Sequence, residues 1–305
     1  MRIGLVTSAG GWRLDDLRRA ALGFGPDSSA PEGVSIELVD ARRLASHVEP
    51  RGEALSSGGQ RLDALDALLV GSLPAGSLEQ VVFRMDALAR AEAAGVVVVN
   101  SPKAMETAVD KYLTTARMAA AGLLVPPTMV CQTADEALAA FHSLGGDVVV
   151  KPLFGGEGRG VARLSDDALA ERAFSLLASL GAVFYLQQFI PSDGQDVRVL
   201  LIGRRSWAIR RHNPLDWRAN VSRGAVATPL APSDAMLEVT GRAAAATGTE
   251  IAGIDLIVGL DGRLWAIEVN AAPGWRATAA AHGVDIAAAC LEYLVERVGR
   301  RGRTS

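Results

Sequence analysis

The chemistry of this 305-residue chain is written most densely between Ile251 and Asn270, where Asp255, Glu268 and Asn270 lie in two apolar runs separated by Asp261-Gly262. Asp-Gly between apolar runs signals a hairpin, because a type I′ turn needs φ > 0 at both central residues. A two-residue loop sets Leu260 against Arg263 and, running back, Ile257 against Ala266, Asp255 against Glu268 and Gly253 against Asn270. Side chains alternate faces, so Asp255, Glu268 and Asn270 share one. Ile254, Leu256 and Val258 share the other, core face with Trp265, Ile267 and Val269. Opposed like charges destabilise a sheet by roughly 0.2–1 kcal/mol, and burial raises that cost unless a cation lies between them. Two carboxylates and an amide suit Mg²⁺ or Mn²⁺, which keep waters and take further ligands from substrate phosphates. A solvated edge with both carboxylates in water is the competing reading, and the apolar flanks favour the metal.

Two lysines and a glycine loop precede the hairpin. Lys151 ends the strand Val148–Lys151, where a lysine either reaches outward to water or serves a phosphate. The stretch Gly155-Gly-Glu-Gly-Arg-Gly160 follows. Its glycines can bring backbone N–H groups close to phosphate oxygens, and a plain flexible loop fits the same residues. It lacks the GK[ST] ending of a P-loop. Lys111 lies on a helix, where a surface position is ordinary. Arg198, Arg210, Arg211, Arg218 and Arg223 crowd one region, with Asn220 among them. A solvated face is the usual meaning of such a run. Arg198 and Arg210, however, lie inside apolar strands, where phosphate or carboxylate partners would explain them.

The positioning elements can be read in order. Ile3–Val6, Ser35–Asp40, Asp66–Gly71 and Val96–Asn100 read as strands alternating with helices such as Leu78–Ala94, the pattern of a parallel sheet covered on both faces. Ser101-Pro102 starts a helix, Ser as N-cap and Pro first inside, that runs to about Gly122 and carries Asp110-Lys111. After Pro126-Pro127 come a strand (Thr128–Cys131), a helix opened by Thr133, the Lys151 strand, a helix over Asp166–Leu180 and a strand over Val183–Ile190. The remainder is strand-rich. Val197–Ile202 and Ser206–Arg211 flank Gly203-Arg204; Ala225–Leu230 is a strand, Asp234–Thr247 a helix, and Val284–Val298 the closing helix.

Composition narrows the classes. A net charge of −3 argues against nucleic acid as the main partner. No apolar run reaches the ~18 residues of a membrane span, and MRIGLVTSAGG has no signal-peptide core. Cys131 and Cys290 have no metal-like spacing and suit a reducing cytoplasm. Ala9-Gly10-Gly11 lacks the spacing of a nicotinamide fingerprint, which disfavours a dehydrogenase.

The order of these signals is specific. Asp110-Lys111, Lys151-Pro152 before a glycine loop, Leu186-Gln-Gln-Phe-Ile190, Gly194-Gln-Asp196-Val-Arg198, Trp217-Arg218-Ala-Asn220 with Arg223-Gly224, Ile254-Asp255-Leu256 and Glu268-Val-Asn270-Ala-Ala-Pro-Gly274 together resemble the ATP-grasp superfamily, most of all its RimK-type branch of amino-acid ligases. The resemblance covers roughly residues 96–298. It implies a mixed α/β and α+β fold of three domains: an N-terminal parallel-sheet domain (1–102), a central α+β domain with the glycine loop (103–188) and a C-terminal domain with the metal site (189–305), ATP lying between the last two.

The roles that the resemblance implies follow residue by residue. Lys111 and Lys151 hold nucleotide phosphates, with Gly155, Gly156, Gly158 and Gly160 over them. Gln188, Phe189 and Ile190 meet the adenine through backbone groups, and the family commonly has Glu where Gln188 stands. Asp196, Arg218 and Asn220 are further ATP contacts. Asp255, Glu268 and Asn270 hold Mg²⁺ or Mn²⁺, two ions in the family. Arg211 or Arg210, with Arg223, holds the reacting carboxylate or acyl phosphate. The implied reaction is ATP-dependent joining of a carboxylate to an amine through an acyl phosphate. RimK-type relatives often add L-glutamate to a peptide or to a coenzyme such as a pterin or deazaflavin, and a homodimer or homotetramer is the expected assembly. A phosphotransferase and a non-catalytic ATP-binding module are the alternatives on this scaffold.

Overall fold

The computed structural model describes residues 1–8, 10–25, 33–50, 52–156, 158–219 and 224–301. Arg2–Thr7 (β1) pairs in parallel with Ser35–Asp40 (β2). A short antiparallel meander follows, Leu44–Glu49 (β3), Gly52–Ser57 (β4) and Gln60–Arg61 (β5). The chain then returns as Ala67–Val70 (β6) on the other side of β1, with Val97–Val99 (β7) beyond, giving the parallel order β2-β1-β6-β7. Burial on both faces explains the uninterrupted apolar runs. Trp12–Ala21 (α1) packs Leu14 and Leu17 with Ile3 and Leu5, while Leu78–Ala93 (α2) packs Leu88 with Val6 and Leu68 on the opposite face. Gly4 is required at the centre, because a Cβ there would lie 2.7 Å from Leu68 and 2.8 Å from Val39.

The helix expected from Ser101 to about Gly122 is two helices, Pro102–Val109 (α3) and Lys111–Ala120 (α4). Asp110 breaks it in an extended conformation (φ −89°, ψ 106°) and caps α4 by accepting from the Leu113 N–H at 3.0 Å. Asp competes well for exposed helix N–H groups, which is why it ends one helix and starts the next. Lys111 is thereby the first residue of α4.

The second sheet is antiparallel: Thr128–Cys131 (β8), Val148–Lys151 (β9), Ala162–Leu164 (β10) and Phe184–Gln188 (β11), in the order β10-β9-β11-β8. Ala134–Ser143 (α5) and Asp167–Ser179 (α6) cover one face around Phe141, Phe174 and Phe184. Alternation leaves Val149, Lys151 and Gln187 on the uncovered face.

The third sheet is also antiparallel: Gln195–Ile202 (β12), Arg205–His212 (β13), Val226–Leu230 (β14), Ile251–Val258 (β15) and Leu264–Asn270 (β16), in the order β14-β13-β12-β15-β16. Gly203-Arg204 closes the β12–β13 hairpin as the sequence indicates, with Ile202 opposite Arg205. Asp234–Thr247 (α7) and α4 bury Val197, Val199, Ile254 and Leu256 on one face. Arg276–His282 (α8) and Ile286–Arg301 (α9) follow, and α9 packs Ile286, Leu291 and Leu294 against α1 and the first sheet.

The β15–β16 hairpin keeps the expected pairing where it matters and departs from it elsewhere. Gly253 faces Asn270 and Asp255 faces Glu268, but Leu256 faces Ala266 and Ile257 faces Trp265. The loop has three residues, Leu260-Asp261-Gly262, since Gly259 N–H donates to Arg263 O and Gly262 N–H to Gly259 O. Gly262 takes φ +75°, the left-handed residue that follows a type I turn in such loops. One extra loop residue shifts the register by one, and a bulge at Ile267 shifts it back. In consequence Ala266, not Ile267, joins the core, and Ile267 turns to the other face beside Glu268.

Candidate active site

A cavity of about 370 Å³ opens between the uncovered faces of the second and third sheets. Its size suits a nucleotide-sized ligand. Lys111, Lys151, Gly155, Gly156, Gly158, Gln188, Phe189, Ile190, Asp196, Arg218, Asp255 and Glu268 all line it. A chain segment spanning more than a hundred residues thus converges on one space. A larger groove of about 900 Å³ lies at the β12–β13 turn between α7 and α9, and none of the expected site residues lines it.

The third-sheet wall carries a row of charges across four strands. Asp196 on β12 faces Arg211 on β13; Arg198 on β12 faces Asp255 on β15, which faces Glu268 on β16. Arg198 grips Asp255 in a bidentate pair, both bonds 2.6 Å. Arg211 grips Asp196 at 2.6 and 2.7 Å, and its Nη2 reaches Asp255 Oδ2 at 3.0 Å. Burial pushes the Asp255 carboxyl up, but Arg198 and Arg211 overcome this and hold it well below the usual carboxylate range. Asp196 shares its arginine, and burial wins there, raising it to about 6. The cation that opposed carboxylates require is therefore present in part as arginine. Glu268 has no such grip; Arg198 stands 3.9 Å away and its side chain is half-buried.

This geometry revises several sequence expectations. Arg198 finds the carboxylate partner that its strand position called for. Arg210 needs none, because it alternates to the outer face of β13 and is exposed. Arg211 is buried with Nε and Nη2 already taken, so an internal ion pair stands where a hold on substrate was expected. Asn270 lies at the end of β16, outside the cavity lining, and its Oδ1 accepts from the Ala272 N–H at 3.0 Å. Arg218 lines the cavity but pairs with Asp216 at 2.6 Å and donates to Val161 O at 3.0 Å. Asn220 and Arg223 lie outside the described residues.

The second-sheet wall is built differently. Lys111 Nζ donates to Gly155 O at 2.7 Å, and Lys151 Nζ to Gln187 Oε1 at 2.7 Å. Burial pushes Lys151 down to about 8, with Glu268 opposing the shift and Lys111 adding to it. Burial also lowers Lys111, again against Glu268. Both lysines thus feel the carboxylate on the facing wall. Gly155 (φ +117°) and Gly158 (φ +68°) occupy backbone conformations that favour glycine. Gly160 is a packing residue instead: it does not line the cavity, and a Cβ would meet Pro152 at 2.8 Å.

At the hinge, Gln188 N–H donates to Pro127 O and Phe189 N–H to Asp147 O, both within the protein. Arg163, held by Asp147, lies 3.5 Å over the Phe189 ring, and Phe189 meets Trp217 edge-on. These flat groups wall one end of the cavity. The sequence assigned no role to Arg163, Trp217 or Gln187, although the last two stand inside the Trp217-Arg218-Ala-Asn220 and Leu186-Gln-Gln-Phe-Ile190 motifs. Gln187 alternates with Tyr185 on β11, and a polar pair at that spacing in a buried strand is the signal that was available.

Family comparison agrees with the geometry. Residues 108–294 match the RimK-like ATP-grasp domain. The chain belongs to this family. It is 32% identical over 280 residues to the tetrahydromethanopterin:alpha-L-glutamate ligase of Methanosarcina acetivorans, covering 82% of this chain and 86% of that one. It is 28% identical to a probable alpha-L-glutamate ligase of Serratia proteamaculans, covering 90% and 91%. Among solved structures, the ATP-grasp ligase PsnB complexed with minimal precursor superposes with a TM-score of 0.74 at 24% identity, over 96% of this chain and 98% of that one. A RimK domain protein ATP-grasp from Sphaerobacter thermophilus gives 0.72 at 23% identity, over 96% and 99%. These structures share the fold. The chain is accordingly a RimK-like ATP-grasp ligase, and among the described residues no helix is long and apolar enough to cross a membrane.

Proposed function

We propose that the protein joins L-glutamate to a carboxylate of a small coenzyme, of pterin or deazaflavin type, using Mg·ATP and an acyl-phosphate intermediate. The observation that carries this is the convergence of two lysines, a glycine loop and the Asp255/Glu268 pair on one cavity in a RimK-like fold. The relationship to a tetrahydromethanopterin:alpha-L-glutamate ligase favours a coenzyme acceptor over a peptide.

Phosphoryl transfer asks the protein for positioning and charge neutralisation more than for covalent help. Lys111, Lys151 and the N–H groups of the loop at Gly155, Gly156 and Gly158 hold the phosphates. Gln188 and Phe189 have committed their N–H groups, so the Ile190 N–H and nearby carbonyls are the groups that read the base, against Arg163, Phe189 and Trp217. Glu268 and Asp255, with Asn270 beside them, have the oxygen donors that one or two Mg²⁺ ions would use. Such ions would neutralise charge developing on the γ-phosphate. Arg198 and Arg211 orient Asp255, and Arg211 orients Asp196. The acceptor carboxylate oxygen attacks the γ-phosphorus and ADP leaves. The glutamate amine then attacks the acyl carbon, loses a proton, and phosphate departs with the carboxylate oxygen.

The test is ADP release with Mg²⁺ and L-glutamate across candidate pterin, deazaflavin and peptide carboxylates, with mass spectrometry of the product and hydroxylamine added to trap the acyl phosphate. A glutamyl amide and a hydroxamate are expected. A stable phosphorylated product formed without amine would instead establish a phosphotransferase.

A further inference from the structure

The Lys151 ammonium is held by an amide whose orientation is itself fixed. Thr128 Oγ1 donates its proton to Pro126 O at 2.7 Å, so toward Gln187 it can only accept. The Gln187 atom 3.2 Å from it is therefore the nitrogen. The same Nε2 lies 3.1 Å from the Tyr185 hydroxyl, which assigns its second hydrogen. With both amide hydrogens committed, Oε1 is the atom left to face Lys151, 2.7 Å away. A flipped amide would set Oε1 against the Thr128 lone pairs and an NH₂ against an ammonium.

The network extends to the other lysine. The Tyr185 hydroxyl meets Thr115 Oγ1 at 2.8 Å, and Thr115 is one turn along the helix that Lys111 begins. Gln187, Tyr185 and Thr115 are all buried, at 3%, 1% and 7% exposure. One chain of hydrogen bonds thus spans β8, β9, β11 and α4 and ties the lysine-bearing strand to the lysine-bearing helix.

We propose that Gln187 is a positioning residue for the nucleotide phosphates: a neutral carbonyl, locked by Thr128 and Tyr185, that aims the Lys151 ammonium into the cavity without cancelling its charge. The inference rests on the reading of the cavity as a Mg·ATP site. An ammonium has three donors. Gln187 takes one and leaves the others for phosphate oxygens. A carboxylate at this position would pair with Lys151 and compete with the phosphates for it.

Calorimetric binding of Mg·ATP and of adenosine to the whole protein tests this, with Gln187→Leu, Gln187→Glu and Thr128→Val. Loss of a hydrogen bond to a charged group in Gln187→Leu, and competition of a carboxylate with the phosphates for Lys151 in Gln187→Glu, each predict Mg·ATP binding about tenfold weaker. Thr128→Val, which frees the amide but keeps it, loses less, about threefold. Adenosine, which has no phosphate for Lys151 to meet, binds all three like the wild type. Equal losses for Mg·ATP and adenosine would reduce Gln187 to a structural role, and unchanged Mg·ATP binding in the variants would overturn the proposal outright. If Gln187→Leu fails to fold, the same ratio read from Gln187→Glu and Thr128→Val decides. A wild-type protein that binds no Mg·ATP would overturn the nucleotide reading itself, and this inference with it.

Discussion

The two walls of the cavity are held by different physics. On the third sheet, Arg211 and Asp255 are buried, Asp196 and Arg198 are mostly so, and all four are paired across neighbouring strands. On the second sheet, Lys111 holds a loop carbonyl, and Gly155 and Gly156 are exposed. The paired wall is rigid because each buried charge there depends on another; removing one leaves its partner uncompensated in a poorly solvating interior. The glycine wall has few contacts to lose and can adapt to a ligand. Folding and chemistry should therefore separate: damage to the first wall unfolds the protein, and damage to the second leaves a folded protein that handles nucleotide poorly.

The largest expected effect breaks the paired wall. Asp255→Ala strands Arg198, takes from Arg211 its second carboxylate, and should cost about 3–5 kcal/mol in urea unfolding. A loss below about 1 kcal/mol would show that the ion pairs are solvated and that the walls do not differ as described.

Glu268 sits on the same wall but outside the tight pairs, so it sharpens the comparison. Glu268→Gln should leave stability nearly unchanged while Mg-dependent ADP formation falls by roughly 10²–10³-fold, the scale of losing one electrostatic contact to a transition state. Turnover at the wild-type rate would remove Glu268 from the proposed metal site.

Smaller effects belong to the glycine wall. Gly155 has φ +117°, and a Cβ there would touch nothing, so Gly155→Ala strains only the backbone. Turnover should fall by about tenfold, with a loss of only about 1–2 kcal/mol in stability. A full loss of fold would mean that the loop is part of the core.

The smallest effect is a proton. Burial holds Lys151 near 8 in the free protein. At pH 8 the group is then about half charged, and phosphate oxygens favour the charged form, so nucleotide binding takes up protons. The sign follows from a lowered lysine pKa that rises on binding. Uptake should be greatest near and above pH 8, fade as the pH falls toward 6, and vanish in Lys151→Met. Calorimetry in buffers of different ionisation enthalpy measures it.

How much of this was legible in the sequence varies with the wall. The Asp255–Glu268 opposition could be read because a turn signal fixes register locally. It held even though the loop is one residue longer than a two-residue turn, since the Ile267 bulge restores the pairing. The Arg198–Asp255 pair could not be read, because β12 and β15 lie 57 residues apart at that point with no shared turn to set their register. The meander of β3 to β5 was missed because β3 is almost wholly exposed and carries no apolar alternation. The break at Asp110 was concealed by good helix formers on both sides, with only the cap to mark it. The lysines and the glycine loop were legible as types and order, while the hydrogen-bond partner of each lysine required three dimensions.

The most direct test of the account is ADP release by wild-type protein in Mg²⁺ with a candidate acceptor carboxylate, measured with and without L-glutamate and repeated in Glu268→Gln. Two walls serving one ligase site predict glutamate-dependent ADP release with a matching yield of glutamyl product in the wild type, and both reduced roughly 10²–10³-fold in a folded Glu268→Gln. Equal ADP release with and without glutamate, accompanied by a stable phosphorylated acceptor, would contradict it.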